Sequence, residues 1–166
     1  MSTKHPTRSA LRRIRLLLLD VDGVMTDGGL YYSSRGEQLK KFNVKDGYGI
    51  VKLRKFGIAV GIITGRVSRI VQCRAKELGI TEVHQNMHNK IDAYERIQKK
   101  FGLQDAEIAY IGDDEPDLAV LRRVGFSAAP ADAVVSVLKS VDYVCRHRGG
   151  EGAVREVIDL LVSAQS

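Results

Sequence analysis

The chain alternates between short unbroken apolar runs and longer stretches whose apolar positions recur every three or four residues. Leu16–Leu19, Ile58–Ile63 and Ile108–Ile111 are runs of the first kind. A run without polar alternation reads as a strand buried on both faces, the pattern of a parallel sheet covered by helices. Ile80–His84, Phe126–Ala129 and Val141–Val144 read as further strands. Between them, Asp46–Phe56 and Ser68–Leu78 carry apolar stripes at helical spacing, and Asn89 caps a helix that runs to Phe101. Gly57, Gly79 and Gly102 stand where these helices stop. Leu118–Val124, a short segment near Ala133–Leu138, and Ala153–Val162 complete the helices, with Pro116 suited to the first positions of its helix.

Residues 28–44 break the rhythm. Two short β-prone runs flank Ser33-Ser34-Arg35-Gly36, which reads as a β-hairpin inserted after the first strand. There it either serves as a flap that excludes water from a site or decorates the surface. The order of strand, hairpin, helix, then strand and helix repeated, predicts an α/β fold: a doubly wound, mostly parallel sheet with helices on both faces. No linker or internal repeat divides residues 14–166, so one domain is expected.

Charge changes the picture less than its total suggests. The net charge is +6, but five of the 26 basic residues, Lys4, Arg8, Arg12, Arg13 and Arg15, fall in the first fifteen positions without an acid among them. That leaves 21 basic residues against 20 acidic ones, so the body is nearly neutral and a basic groove for nucleic acid is not expected. Residues 1–13 read as a disordered basic tail without the apolar core of a secretory signal. No apolar run approaches the ~20 residues of a membrane span. With 44% hydrophobic and 28% charged residues, a water-soluble globular chain is expected. Cys73 and Cys145 show neither metal-ligand spacing nor a disulfide framework, so the expected compartment is the cytoplasm.

Candidate chemistry sits at strand ends. The first apolar run ends in Asp20-Val21-Asp22-Gly23, the second in Thr64-Gly65-Arg66, and the third in Gly112-Asp113-Asp114. In open α/β sheets, ligands bind outside the C-terminal strand edge. An Asp-x-Asp-Gly is also simple turn chemistry, yet a buried strand has no need of a charge at its end. Lys90 opens a helix, where the macrodipole disfavours a cation, which points to an anionic partner. Clustered carboxylates without His or Cys are hard oxygen ligands suited to Mg²⁺. Beside such an ion a strand-end Asp can attack phosphorus, and a second acid two residues on can move the proton. Thr64 can donate to phosphoryl oxygens, and Lys90 can neutralise their charge. Asp114 and Asp117 either reach the metal or its waters, or cap the helix. A phospho-accepting signalling domain uses similar residues in another order, with the acidic pair first and a lone acceptor Asp second. Here Asp20-x-Asp22 comes first, and the second acid favours turnover.

Asp20-Val21-Asp22-Gly23-Val24, Thr64, Lys90 and Gly112-Asp113-Asp114-x-x-Asp117 resemble, in order and spacing, the four motifs of the haloacid dehalogenase (HAD) phosphatase superfamily. More closely, Asp22–Gly28, Phe42–Ile50, Ile63–Arg66 and Gly149–Glu156 are similar to the 3-deoxy-D-manno-octulosonate 8-phosphate (KDO 8-phosphate) phosphatase family. The resemblance implies a HAD-like, Rossmann-like fold without a cap domain. It implies hydrolysis of KDO 8-phosphate for lipopolysaccharide synthesis, with Asp20 as nucleophile and Asp22 as general acid/base. Mg²⁺ would be held by Asp20, the Asp22 carbonyl and Asp113. Substrate contacts would come from Asp22, Asn43, Val44, Lys45, Asp46, Gly47, Thr64, Gly65, Arg66, Arg74 and Lys90. It also implies a homotetramer in which the hairpin meets neighbouring subunits and the Gly-rich C-terminal segment reaches an adjacent site. Sister enzymes for a nine-carbon sugar acid phosphate carry Glu after Thr-Gly and Lys in place of Glu77; this chain has Arg66, Arg74 and Glu77. An arginine fork suits the carboxylate of a sugar acid, and the lesser alternative is that both arginines are solvated helix residues.

Overall fold

The computed structural model describes residues 6–166. Six strands pair in the order β5-β4-β1-β6-β7-β8: β1 (Leu16–Leu19), β4 (Ala59–Ile63), β5 (Glu82–His84), β6 (Ile108–Ile111), β7 (Phe126–Ala129) and β8 (Tyr143–Val144). Every pairing in this sheet is parallel. The chain moves outward from β1 through β4 to β5, then crosses back to β6 on the other side. The strand order therefore reverses at β1 and β6, and a crevice opens beyond their C-terminal ends.

Successive side chains of β1 point to opposite faces, and both faces are covered. Leu17 and Leu19 join Ile50, Leu53, Val71, Leu78, Val157 and Leu161 in one core. These come from α2 (Val44–Leu53), α3 (Arg69–Leu78) and α7 (Ala153–Gln165). Leu16 and Leu18 join Tyr94, Ile97, Tyr110, Val120 and Val137 in the other. That core is covered by α4 (Lys90–Phe101), α5 (Leu118–Leu121) and α6 (Val135–Leu138). This double burial is why β1 carries four leucines in a row. Gly57, Gly79 and Gly102 close their helices with left-handed φ of 70°, 68° and 65°.

The hairpin forms a separate antiparallel pair, β2 (Tyr31–Ser33) and β3 (Gly36–Leu39), within the span 28–44; Val44 already belongs to α2. Several boundaries differ from the sequence pattern for local reasons. The helix expected over Leu118–Val124 stops at Leu121, because the Gly125 N–H bonds to the carbonyls of Asp105 and Ile108 and draws the chain toward β7. The last strand shrinks to two residues because the Asp142 carboxylate takes the Ser127 N–H and hydroxyl at 2.9 Å each.

The basic tail needs a correction. Residues 1–5 lie outside the described residues, but Arg8–Arg12 form a helix, α1. The Thr7 hydroxyl accepts the Ala10 N–H at 3.2 Å, and buried Leu11 joins the core that α7 covers. One apolar side chain in a polar stretch gives no periodicity; the helix exists because α7 supplies a surface for it.

Two glycines at the far end of the chain lock the loop after β1. A Cβ on Gly149 would collide with the Gly23 carbonyl, and one on Gly150 with the Thr26–Asp27 backbone. The Gly150 N–H bonds to the Val24 carbonyl at 3.0 Å, and its carbonyl accepts from the Asn43 side chain at 3.3 Å.

Candidate active site

Asp20 continues β1 by one residue, its N–H bonded to the Ile111 carbonyl at 3.0 Å. The same edge carries Thr64 after β4 and Asp113 after β6, and Lys90 opens α4 beside them. They line one cavity of about 240 Å³ with Asp22, Gly65, Arg66, Asp114 and Asp117. Met87 and His88 from the loop after β5 complete its wall. Asn86 makes that loop possible: its φ of 59° turns the chain so that the Met87 N–H reaches the Thr64 carbonyl at 3.0 Å.

Asp117 organises the acidic side. Its Oδ2 accepts the N–H groups of Asp113 and Asp114 at 3.0 and 3.1 Å. Its Oδ1 accepts from Lys90 Nζ at 2.6 Å and from the Tyr110 hydroxyl at 2.5 Å. Lys90 also meets Asp20 Oδ1 at 2.9 Å. Burial alone would lower the Lys90 pKa; the charges of Asp20 and Asp117 outweigh it and raise it. Burial, then the charge of Asp117, push Asp20 up to about 6 against the pull of Lys90. Burial, then Asp20 and Asp117, push Asp113 up to about 8.

Oxygen atoms of Asp20, Asp113 and Asp117 lie within 4.8 Å of one another, close enough to hold a metal ion. Both Asp117 oxygens already accept two hydrogen bonds each, so this residue orders the loop and the lysine. That leaves Asp20 and Asp113 as the carboxylates that could take a cation, and Asp113 Oδ1 is buried without a hydrogen-bond partner. Two crowded carboxylates driven toward protonation, one with an orphaned oxygen, fit a hard divalent cation. Gly23 accommodates the crowding: with φ of 86° it passes so close to Asp113 that a Cβ would strike that carboxylate.

Asp22 faces the cavity from the loop after β1. Lys40 of the hairpin forms an ion pair with its Oδ1, and Arg66 Nε lies 3.9 Å from its Oδ2. Burial opposes the Lys40 charge, but hydrogen bonds to Asp22 and Glu37 raise its pKa. The hairpin is thus fastened to the rim of the site within one chain.

Chain-order reasoning brought together Asp20, Asp22, Thr64, Gly65, Arg66, Lys90 and Asp113, all of which line the cavity. Six residues carried over as substrate contacts do not. Asn43 caps α2 by accepting the Lys45 N–H at 2.8 Å, Val44 is 79% exposed, and Lys45 lines a separate cleft beside Arg155. Asp46 is buried and accepts the Arg155 N–H at 2.8 Å, burial raising its pKa. Gly47 packs against Arg74, whose guanidinium pairs with Glu77 at 2.9 Å and lies over the Phe42 ring. The start of α2 docks on α7 rather than on the strand rim, which places residues 43–47 outside the cavity of their own chain, and Arg74, on α3, turns to Glu77 and Phe42 instead.

Sequence reasoning missed Lys40, Tyr110 and the central part played by Asp117. Tyr110 sits in an aliphatic strand, where a hydroxyl needs a buried acceptor, and that mismatch was the available signal. Lys40 carried none.

A family model described as haloacid dehalogenase-like hydrolase matches residues 63–158. This chain belongs to the haloacid dehalogenase-like hydrolases. The 3-deoxy-D-manno-octulosonate 8-phosphate phosphatase KdsC of Escherichia coli K12 is 49% identical over 152 residues, 92% of this chain and 81% of the relative. The crystal structure of the phosphatase of that name from Yersinia pestis superposes on this hydrolase with a TM-score of 0.93 at 47% identity, covering 95% of this chain and 85% of that one. The Moraxella catarrhalis phosphatase, solved with a magnesium ion, a phosphate ion and KDO, gives 0.92 at 41% identity, covering 95% and 91%.

In this hydrolase, Asp117→Asn should cost about 2 kcal/mol, because each Asp117 oxygen accepts from two donors and the amide NH2 would face one of those pairs, donor against donor. Urea unfolding measures the loss; a change below about 0.5 kcal/mol, the size of an ordinary surface substitution, would show that Asp117 does not hold the site together.

Proposed function

We propose that this chain hydrolyses KDO 8-phosphate to KDO and inorganic phosphate in the cytoplasm, for lipopolysaccharide synthesis. The observation that carries the reading is the convergence of Asp20, Asp22, Thr64, Lys90 and Asp113 on one cavity, in a chain 49% identical to a KDO 8-phosphate phosphatase. An Asp20 oxygen attacks phosphorus as the bond to the sugar oxygen breaks, and Asp22 gives that oxygen its proton. Asp22 then takes a proton from water, whose oxygen attacks the aspartyl phosphate and releases phosphate and Asp20. Lys90 fixes the orientation of Asp20 through Oδ1 and offsets phosphoryl charge, while the Thr64 hydroxyl donates to a phosphoryl oxygen.

Asp20, the Asp22 carbonyl and Asp113 would hold Mg²⁺, which supplies charge neutralisation at the phosphoryl group. Arg66, on the cavity wall with Nε toward Asp22, is suited to the sugar acid's carboxylate. Self-association as a homotetramer would cover the apolar surface that one chain leaves open: Tyr32 is 60% exposed, Leu39 63%, Val44 79% and Tyr48 65%.

With Mg²⁺ present, phosphate release should be fastest from KDO 8-phosphate in a panel of eight- and nine-carbon sugar acid phosphates. Asp20→Asn should cut the rate by more than roughly a thousandfold. Preference for a nine-carbon substrate would reassign specificity, and no release from any member would favour a phospho-accepting module. Protons compete for the metal: below about 6 for Asp20 and about 8 for Asp113 they occupy the oxygens a cation needs. Mg²⁺ affinity should therefore fall as pH is lowered from about 8 to about 6, a trend that calorimetric titration follows and that a flat profile would refute. Sedimentation equilibrium should return four times the monomer mass of 18.4 kDa; a monomer at micromolar concentration would remove the tetramer.

A further inference from the structure

Lys40 leaves the end of β3 and its side chain has no solvent exposure. Its ammonium sits between Asp22 and Glu37, 2.9 Å from Glu37 Oε1. Arg66 closes a ring from the other side, with Nη2 3.9 Å from Glu37 Oε1 and Nε 3.9 Å from Asp22 Oδ2. Two cations and two anions alternate around this ring, so it carries no net charge, which makes its partial burial tolerable. The Ser68 hydroxyl donates to Glu37 Oε2 at 2.6 Å, and Arg66 Nη2 donates to the Tyr32 hydroxyl at 2.5 Å. Each contact joins the flap to the rim of the sheet.

Lys40 does not line the cavity, and a fully covered ammonium cannot reach a substrate. Asp22 does line it, on a loop where its side chain is 21% exposed. Without a partner, an aspartate so placed would spread over several staggered rotamers. We propose that Lys40 is a positioning residue that holds the Asp22 carboxylate in the orientation facing the cavity, so that docking of the flap assembles the proton-transfer geometry. The inference rests on the reading of Asp22 as the acid/base. It assigns Glu37 the part of balancing the second positive charge, and it makes the hairpin part of the catalytic apparatus in its own chain.

The leaving group separates this from a merely structural role. A sugar alkoxide needs a proton as it departs, whereas nitrophenolate does not. In a two-step phosphatase, kcat/KM reports transfer to Asp20, the step in which that proton is given. Lys40→Met should lower kcat/KM for KDO 8-phosphate by about tenfold or more, the scale of a misplaced catalytic group. For p-nitrophenyl phosphate the loss should stay under about twofold, and Lys40→Arg should recover most of the activity. Thermal melts confirm that the variants are folded, and Lys40→Ala, which likewise cannot donate to Asp22, replaces Lys40→Met if the latter is not. Equal losses on the two substrates, or no loss on either, would overturn the proposal. A parent enzyme inactive on KDO 8-phosphate would overturn the proposed function instead; the Lys40 comparison then uses any alkyl phosphate the parent accepts against the aryl one.

Discussion

Two buried acids, Asp20 and Asp117, share one amine where the strand order reverses, with half-buried Asp113 beside them, and the geometry around them is the geometry of keeping like charges together. Oxygens of Asp20, Asp113 and Asp117 within 4.8 Å repel by about 4 kcal/mol per pair at the effective dielectric of such sites. Lys90 offsets one of the three charges. The Tyr110 hydroxyl and two backbone amides quiet Asp117, leaving Asp20 and Asp113 to respond with raised pKa values. Fully ionised, the cluster lacks two positive charges, the charge of one divalent ion. The same crowding explains the backbone beside it, where Gly23 grazes Asp113 and a Cβ on Gly112 would strike Asp117.

The part of this site written into the sequence is the part carried by strand ends. An all-apolar run that stops at a charge marks both a buried strand and a rim position, so Asp20, Thr64 and Asp113 could be placed without a structure. Lys90 was legible because a cation is misplaced in the first turn of a helix. Residues 43–47 gave only the signal of a helix start; they were assigned to the site through family resemblance, and one chain sets them against α7 instead. The turn of helix at Arg8–Arg12 was invisible because its stability comes from a surface some 150 residues away. Asp117 was singled out, but its four donors come from three separate segments, an arrangement no local pattern encodes.

The flap is a second lesson in where stability comes from. Two strands with exposed Tyr31, Tyr32 and Leu39 have no apolar floor of their own, and a two-stranded sheet is marginal in water. Polar contacts hold it instead, and they converge on the cavity mouth: Lys40 to Asp22, Glu37 to Ser68, Arg66 to Tyr32. A segment fastened by directional contacts rather than by an apolar floor is released or seated as a unit.

The seating of Gly149 and Gly150 on the loop after β1 has a bearing on how the molecule is made. The loop after β1 is propped by a turn more than a hundred residues further along the chain, and contacts of such span form slowly. A nascent chain can pair β1 with β4 and cover both with helices while the loop bearing Asp22 still lacks its backing. That backing comes from the turn at Gly149 and Gly150, so the sheet can be assembled in outline before the loop bearing Asp22 is seated.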